Sequence, residues 1–315
     1  MIANGPAAKQ PSRFAVTLRD GLLFLVVIIW GSNFALVKQA FDELPPLGFN
    51  AVRLTLASLM MLAVLAFTRA EIPRKREWRG LLGIGIVGHC IYQISFVQGL
   101  ARTSVANSSL ILGCVPIIVL VLNAIGRRPE RVTALHWTGV GLSAAGIYLV
   151  VGQGAATTRD TLVGDLLTMV ALWSWAVYTI GSRSLLRRLS PVVVAGYSMA
   201  IGTVFFLPWG IADLTELDWM TVSWRAWAAL VASAVLSMCV ANVIWYSAVQ
   251  RIGSTRTAVY SNMTPLVAMF VAATLLDEPM TRSKLIGAVV ILLGLGLTRI
   301  ERPVDEATET FHYGE

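Results

Sequence analysis

The chain has 315 residues, 56% of them hydrophobic and 14% charged, with a mean hydropathy of +0.69. A soluble domain carries roughly 25% charged residues, so a surface that mostly faces water is excluded and lipid is the implied solvent. The net charge of +7 would raise nucleic acid as a partner for a soluble protein, but here the basic residues fall in short gaps between apolar runs, where they orient a membrane protein.

Residues 1–20 are polar and mildly basic and are expected to lie on the cytoplasmic side. The apolar run that follows is too long for a secretory signal and meets no small-residue cleavage site, so it reads as a retained first span. A transmembrane helix needs about 20 mostly apolar residues to cross roughly 30 Å of hydrocarbon. Ten stretches qualify: 21–39, 48–68, 79–100, 104–126, 134–152, 163–186, 191–212, 225–249, 256–276 and 282–300. A barrel would instead show short alternating strands. The polar, acidic stretch 301–315 is predicted to be a disordered cytoplasmic tail. Cys90, Cys114 and Cys239 all sit within apolar runs at no metal-ligand spacing and read as small core residues.

One stretch is written twice. Leu100 to Val119 lies over Val249 to Ala268, so that Arg102 meets Arg251 and Pro116 meets Pro265. After a one-residue slip, Glu130 and Thr133 meet Glu278 and Thr281, and Gly139 and Gly146 meet Gly287 and Gly294. The repeat divides the chain into 21–152 and 163–300, each with five spans. With the N-terminus inside, the inner segments hold about three times as many Lys and Arg as the outer ones, which places both termini in the cytoplasm. Five is odd, so the halves are expected to be inverted in the membrane. Secondary transporters often follow that plan, with a site near the midplane between the repeats.

Polar groups inside membrane helices are expensive and face a cavity or the bundle interior. In span three His89, Tyr92, Gln93 and Phe96 fall at i, i+3, i+4 and i+7, one helical face. The repeat sets Asn242 opposite Gln93 and Trp245 opposite Phe96. This face reads as a cavity wall, against the alternative that His89 and Gln93 only bond neighbouring helices. Trp30 and Asn33 in span one, and Trp173 and Tyr178 in span six, join the candidates. Trp173 is preferred to Trp175 because the repeat pairs it with Trp30. Both Trp30 and Trp173 lie too deep for an interfacial belt. Arg53 is read as snorkelling to the outer interface, with steering of a carboxylate as the alternative. No Asp or Glu is expected deep in any span, and His89 is the deep group whose ordinary titration lies near neutral pH. Pro116 and Pro265 are candidate hinges or, equally, static bends. The glycines of spans five and ten suggest close packing, within one chain or between two, so monomer and homodimer both stay open. Gly83 to Gly88 matches G-x-G-x-x-G but follows no strand, and is read as helix packing.

Trp30-Gly31-Ser32-Asn33-Phe34 resembles the opening motif of the drug/metabolite transporter superfamily, in its EamA-type branch. The resemblance continues through Arg53, Gly99 to Pro116, Gln250-Arg251-Ile252-Gly253, Tyr260 to Pro265 and Glu278-Pro279-Met280-Thr281, covering about residues 20 to 300. It implies a carrier in a bacterial inner membrane that exports amino acids or other small metabolites. The second half opens on Trp173-Ser174-Trp175-Ala176-Val177-Tyr178, without a Gly-Ser-Asn run, so that motif's role is not carried across.

The expectation is an all-α integral membrane protein of ten transmembrane helices in two inverted five-helix repeats. It would move amino acids with aromatic or apolar side chains, or drugs and other amphipathic metabolites, by alternating access. Its partners would be the small-molecule substrate and the lipid bilayer, with no nucleic acid and no cofactor or metal. An intramembrane enzyme would need a nucleophile–base pair or metal cluster, and a channel a continuous polar stripe; neither pattern is present.

Overall fold

The computed structural model describes residues 18–125, 134–152, 158–252, 257 and 260–297. Residues 1–17, the predicted tail 301–315 and the repeat positions Glu130 and Thr133 lie outside the described residues. Every regular element among those described is helical. In chain order they are α1 (Leu18–Ala40), α2 (Pro46–Phe67), α3 (Lys75–Arg102) and α4, which runs as Val105–Gly113 and then Val115–Ile125. There follow α5 (Ala134–Gly152), α6 (Arg159–Leu185), α7 (Pro191–Glu216), α8 (Trp224–Ile252), α9 (Thr264–Leu275) and α10 (Arg282–Leu297). Seven of them, α1 to α4 and α6 to α8, are long and apolar enough to cross a membrane, and shorter apolar helices accompany them. In hydrocarbon each backbone group must be satisfied within its own segment, which is why these runs are helices. Large apolar side chains such as Phe67, Val204 and Phe270 stand on the outside, where lipid rather than water is their natural neighbour.

The helix ends are written locally. Ser104, Thr158, Ser190 and Ser223 cap α4, α6, α7 and α8 by accepting backbone N–H bonds, and Pro46 and Pro191 open α2 and α7. Asp277 closes α9 in the left-handed region at φ 51°, as a C-terminal cap often requires. Its turn delivers the Glu278 carboxylate to the backbone N–H groups of Val105 (2.7 Å) and Ala106 (3.3 Å), the free donors at the start of α4.

Small residues set the closest crossings. A Cβ at Gly146 would stand 2.9 Å from the Gly287 carbonyl, and one at Gly294 would stand 2.7 Å from the Gly139 carbonyl, so α5 and α10 touch backbone to backbone. Gly141 and Gly296 meet nothing and lie off that seam. Gly99 of α3 and Gly164 of α6 make the same kind of crossing, each 2.9 Å from the other's carbonyl. In the G-x-G-x-x-G run Gly83 meets nothing, and the other two glycines are packing of this sort. A Cβ at Gly85 would meet the Ser198 carbonyl at 2.7 Å, and one at Gly88 would enter the Tyr178 ring.

Two helices change gait at mid-length. In α3 the stretch Ile86–Ile91 is π-helical, and in α8 so is Ser233–Val240. Such segments insert an extra residue into a turn and free backbone carbonyls for other donors. The two candidate hinge prolines also differ in setting from mid-helix kinks. Helix α4 breaks at Cys114, so Pro116 lies in the first turn of its second piece, and Pro265 lies in the first turn of α9 after a 3-10 turn at Ser261–Met263. Both prolines therefore follow a break, where the missing N–H costs little. The breaks face each other, since a Cβ at Gly113 would stand 2.6 Å from Pro265 Cγ.

Where α1 and α3 end and α4 and α6 begin, polar contacts tie the bundle together. The Lys38 ammonium donates to the carbonyls of Leu100 (2.7 Å), Ala101 (3.0 Å) and Thr103 (2.9 Å), capping the end of α3. Asp165 accepts from the Thr103 hydroxyl (2.6 Å) and the Asn107 amide (3.2 Å), and Lys284 donates to Ser104 (3.2 Å). At the same end the Glu43 carboxylate accepts from the N–H and hydroxyl of Ser223, which holds its pKa below the ordinary value of 4.5.

Candidate functional site

The second π segment borders a cavity of about 720 Å³, counting the space at its opening, and Tyr92, just past the first, lines it from the other side. Trp30, Asn33 and Phe34 line it from α1, Tyr92, Gln93 and Phe96 from α3, and Ser237, Met238 and Asn242 from α8. Arg53 enters from α2, Trp175 from α6, Thr264 from α9, and Ser109, Leu112, Gly113 and Val115 from α4 around its break. The walls are aromatic. Trp30 meets Trp175 edge to face at 5.5 Å and tilts against Trp245 at 5.0 Å. Tyr92 lies 5.0 Å from Trp175 and stacks on Phe96, whose ring meets Phe34 at 5.4 Å. Offset and edge-to-face contacts of this kind stiffen the wall as well as burying area.

The polar groups are held by the irregular backbone. The Trp30 indole N–H donates to the Ser237 carbonyl (3.2 Å) within the π segment, and the Asn242 amide donates to the Met238 carbonyl (2.9 Å). Asn33 Oδ1 accepts from the Ser233 hydroxyl at 2.5 Å, tying α1 to α8. Two of the lining residues carry a buried oxygen with no protein partner, Asn242 Oδ1 and Thr264 Oγ1. Such atoms are uncommon and call for an explanation, of which a ligand is one.

Trp30, Asn33, Tyr92, Gln93, Phe96 and Asn242, expected on the cavity wall from helical spacing, depth and the repeat, line one cavity. Trp245 is buried behind the wall, packed on Trp30 and Trp175. His89 does not line it: the residue is 1% exposed, and Nε2 is 2.8 Å from the Tyr178 hydroxyl, so these two candidates form a buried pair behind Trp175. The helical-face arithmetic fails at His89 because it lies inside the π segment, where each turn holds more residues than in an α-helix. Trp173 is 47% exposed on the outer face of α6, and Trp175 occupies the position expected of it. Trp175 and Tyr178 are i and i+3 and share a face; Trp173 and Tyr178 do not, and that spacing is the signal that separates the two tryptophans.

Two charged side chains are also buried inside the bundle. Arg53 is 1% exposed and bonded inside the bundle rather than snorkelling to an interface. Its helix starts at Pro46, so seven residues at 1.5 Å each put it about 10 Å in, and Asn50 one turn earlier offers a partner on the same face. Asp165, in the second turn of α6 near one end of the bundle, is a buried carboxylate that the sequence reading did not single out: it is 1% exposed and held by Thr103 and Asn107.

Comparison with known proteins adds to this geometry. The model of the EamA-like transporter family matches residues 18–152 and 162–300. A protein of Archaeoglobus fulgidus named an uncharacterized transporter is 30% identical over 286 residues, covering 88% of this chain and 96% of the relative. A "probable amino-acid metabolite efflux pump" of Escherichia coli is 26% identical, covering 88% of this chain and 93% of its own length. A "probable terminal-alkyne amino-acid exporter" of Streptantibioticus cattleyicolor is 27% identical, covering 87% and 91%. A crystal structure at 18% identity shares the fold with a TM-score of 0.67, over 90% of this chain and 99% of that one.

Proposed function

The chain belongs to the EamA-like transporter family, whose members are membrane transporters and not enzymes, and on that premise we propose that it exports amino acids with aromatic or apolar side chains across the plasma membrane. The observation that carries this reading is the cavity itself. Its walls of Trp30, Trp175, Tyr92 and Phe96 suit an apolar or aromatic body, and the unpartnered acceptors Asn242 Oδ1 and Thr264 Oγ1 suit an ammonium. Relatives named as amino-acid efflux proteins favour the same class.

Transport proceeds by alternating access between two inverted five-helix halves that make ten crossings, with both termini in the cytoplasm. Exchange of the halves supports this plan. The pairing of α3 with α6 has its counterpart in α8 with α1, that of α3 with α7 in α8 with α2, and that of α1 with α9 in α6 with α4. The offset that lays Arg102 on Arg251 also carries Ile86–Ile91 onto 235–240, inside the second π segment. On this reading the polar ties of Lys38, Asp165 and Glu278 close the outer end, and they part when the halves rock. The facing breaks at Gly113–Cys114 and before Pro265 are where α4 and α9 bend.

A second crevice, of about 440 Å³, lies between α1 and α8 and shares Asn33 and Ser237 with the cavity. Its rim includes the exposed Ile28 and Leu236, which favours as a second reading amphipathic metabolites that arrive from the bilayer.

The test is uptake of labelled L-phenylalanine and L-leucine into proteoliposomes of purified protein. Saturable uptake, competed by related amino acids and lost in Trp175→Ala, is expected. Uptake no faster than in empty liposomes would remove amino acids as the substrate class and leave the crevice reading.

A further inference from the structure

We infer that Arg53 is the carboxylate-binding residue of this cavity, so that the ligand class is an organic carboxylate on an apolar or aromatic body. The inference rests on the carrier reading above and deepens it. Arg53 is 1% exposed and lines the cavity. Its guanidinium donates to Ser233 Oγ (2.9 Å), Asn50 Oδ1 (2.5 Å) and Gln93 Oε1 (2.8 Å) and lies over the Phe49 ring at 5.5 Å. Each of those oxygens is neutral. Among the described residues the one ion pair is Arg102 with Asp160, so no described carboxylate stands against Arg53. The Nε–H, moreover, is buried with no partner at all.

A buried charge is normally paired, and an unpaired one is strongly unfavourable. Arginine does not escape by giving up its proton. Holding three helices together with neutral acceptors would need only a neutral donor such as glutamine. The charge is therefore surplus to the packing role, and it faces the space a ligand enters. Asn50, Gln93 and Ser233 fix the plane of the guanidinium without neutralising it, which is preorganisation for a planar anion. Those partners belong to α2, α3 and α8, drawn from both halves, so an anion at Arg53 sits where the halves meet. A single guanidinium suits one carboxylate and is too little for a ligand with several phosphates.

The test uses tryptophan fluorescence titration of the purified full chain, read from the cavity tryptophans, with 3-phenylpropionate, 3-phenylpropionamide, L-phenylalanine and L-phenylalaninamide. Charge-assisted hydrogen bonds are strong enough that the acid is expected to bind roughly 10- to 100-fold tighter than its amide. In Arg53→Gln that ratio is expected to fall to about one with little change for the amide, and Arg53→Lys is expected to retain part of it. A merely structural Arg53 would weaken acid and amide alike. Equal binding of 3-phenylpropionate and 3-phenylpropionamide to the unmodified protein overturns the inference, as does discrimination that survives in Arg53→Gln. Should Arg53→Gln not fold, judged by its thermal unfolding, the acid-to-amide ratio of the unmodified protein and of Arg53→Lys decides. Discrimination between the phenylpropionate pair without binding of L-phenylalanine keeps Arg53 as the anion site and removes the amino-acid reading. Equal binding of L-phenylalanine and its amide does the reverse, and failure of all four compounds to bind removes both.

Discussion

Lys38 offers the sharpest test of how its end of the bundle is closed, the end that the proposed orientation makes the outer one. Its ammonium caps the end of α3 through three carbonyls at 2.7–3.0 Å, and Lys38→Met would strand all three. A hydrogen bond to a charged group contributes about 1.5–3 kcal/mol, and bonds that share one ammonium do not add in full. Because Lys38 is only partly buried, about 2–3 kcal/mol is a reasonable total for the closed arrangement. At 1.4 kcal/mol per tenfold, the population open at this end should rise roughly 30- to 150-fold. The assay is alkylation of Leu112→Cys, on the cavity wall, by a membrane-impermeant maleimide added to the outer side. The background replaces the buried Cys90, Cys114 and Cys239 with alanine. Lys38→Met should accelerate labelling by up to that factor, and Lys38→Arg should much less. A rate within twofold of the parent would refute the idea that the Lys38 cap holds this end shut.

Three other outcomes are expected. Trp175→Ala should abolish ligand-dependent fluorescence change and, as a large-to-small change at a packed wall, cost about 3–5 kcal/mol of stability, whereas Trp173→Ala on the outer face should leave both nearly unchanged. Gly146→Leu should force α5 from α10, because its Cβ would press on backbone atoms at 2.9 Å; overpacking of this kind costs about 1–3 kcal/mol and should lower the thermal unfolding midpoint in detergent, while Gly141→Leu, with open space around it, should not. The depressed pKa of Glu43 means its contact with Ser223 contributes fully above the ordinary value of 4.5 and is lost as pH falls through the lowered value. Ser223→Ala should return the Glu43 pKa towards 4.5, as read by carboxylate infrared or NMR titration.

Much of the cavity is legible in residue spacing, and its departures have local causes. Tyr92, Gln93 and Phe96 lie downstream of the π segment in regular α-helix, so i, i+1 and i+4 spacing places them well. His89 lies within the π segment and turns away to Tyr178. Nothing in Ile86–Ile91 announces that change of winding, which lies where α7 crosses closely, a Cβ at Gly202 falling 2.4 Å from the Gly85 carbonyl. Arg53 is misjudged from sequence for another reason. Snorkelling depends on whether the neighbouring helices leave a path to water, and Asn50, Gln93 and Ser233 supply an internal alternative from three helices.

The amino-acid sequence by itself determined that lipid is the solvent, that the chain folds as helices, and that one stretch is written twice, because those follow from composition and from the demand that backbone groups be satisfied locally. Which side of each helix faces the cavity was decided by tertiary packing. In water the apolar face points inward, but lipid is as apolar as a protein core, so Trp173 and Trp175 are equally acceptable to either environment. The choice between them, and the fates of Arg53 and Asp165, rest on the small residues and polar partners that other helices bring to meet them.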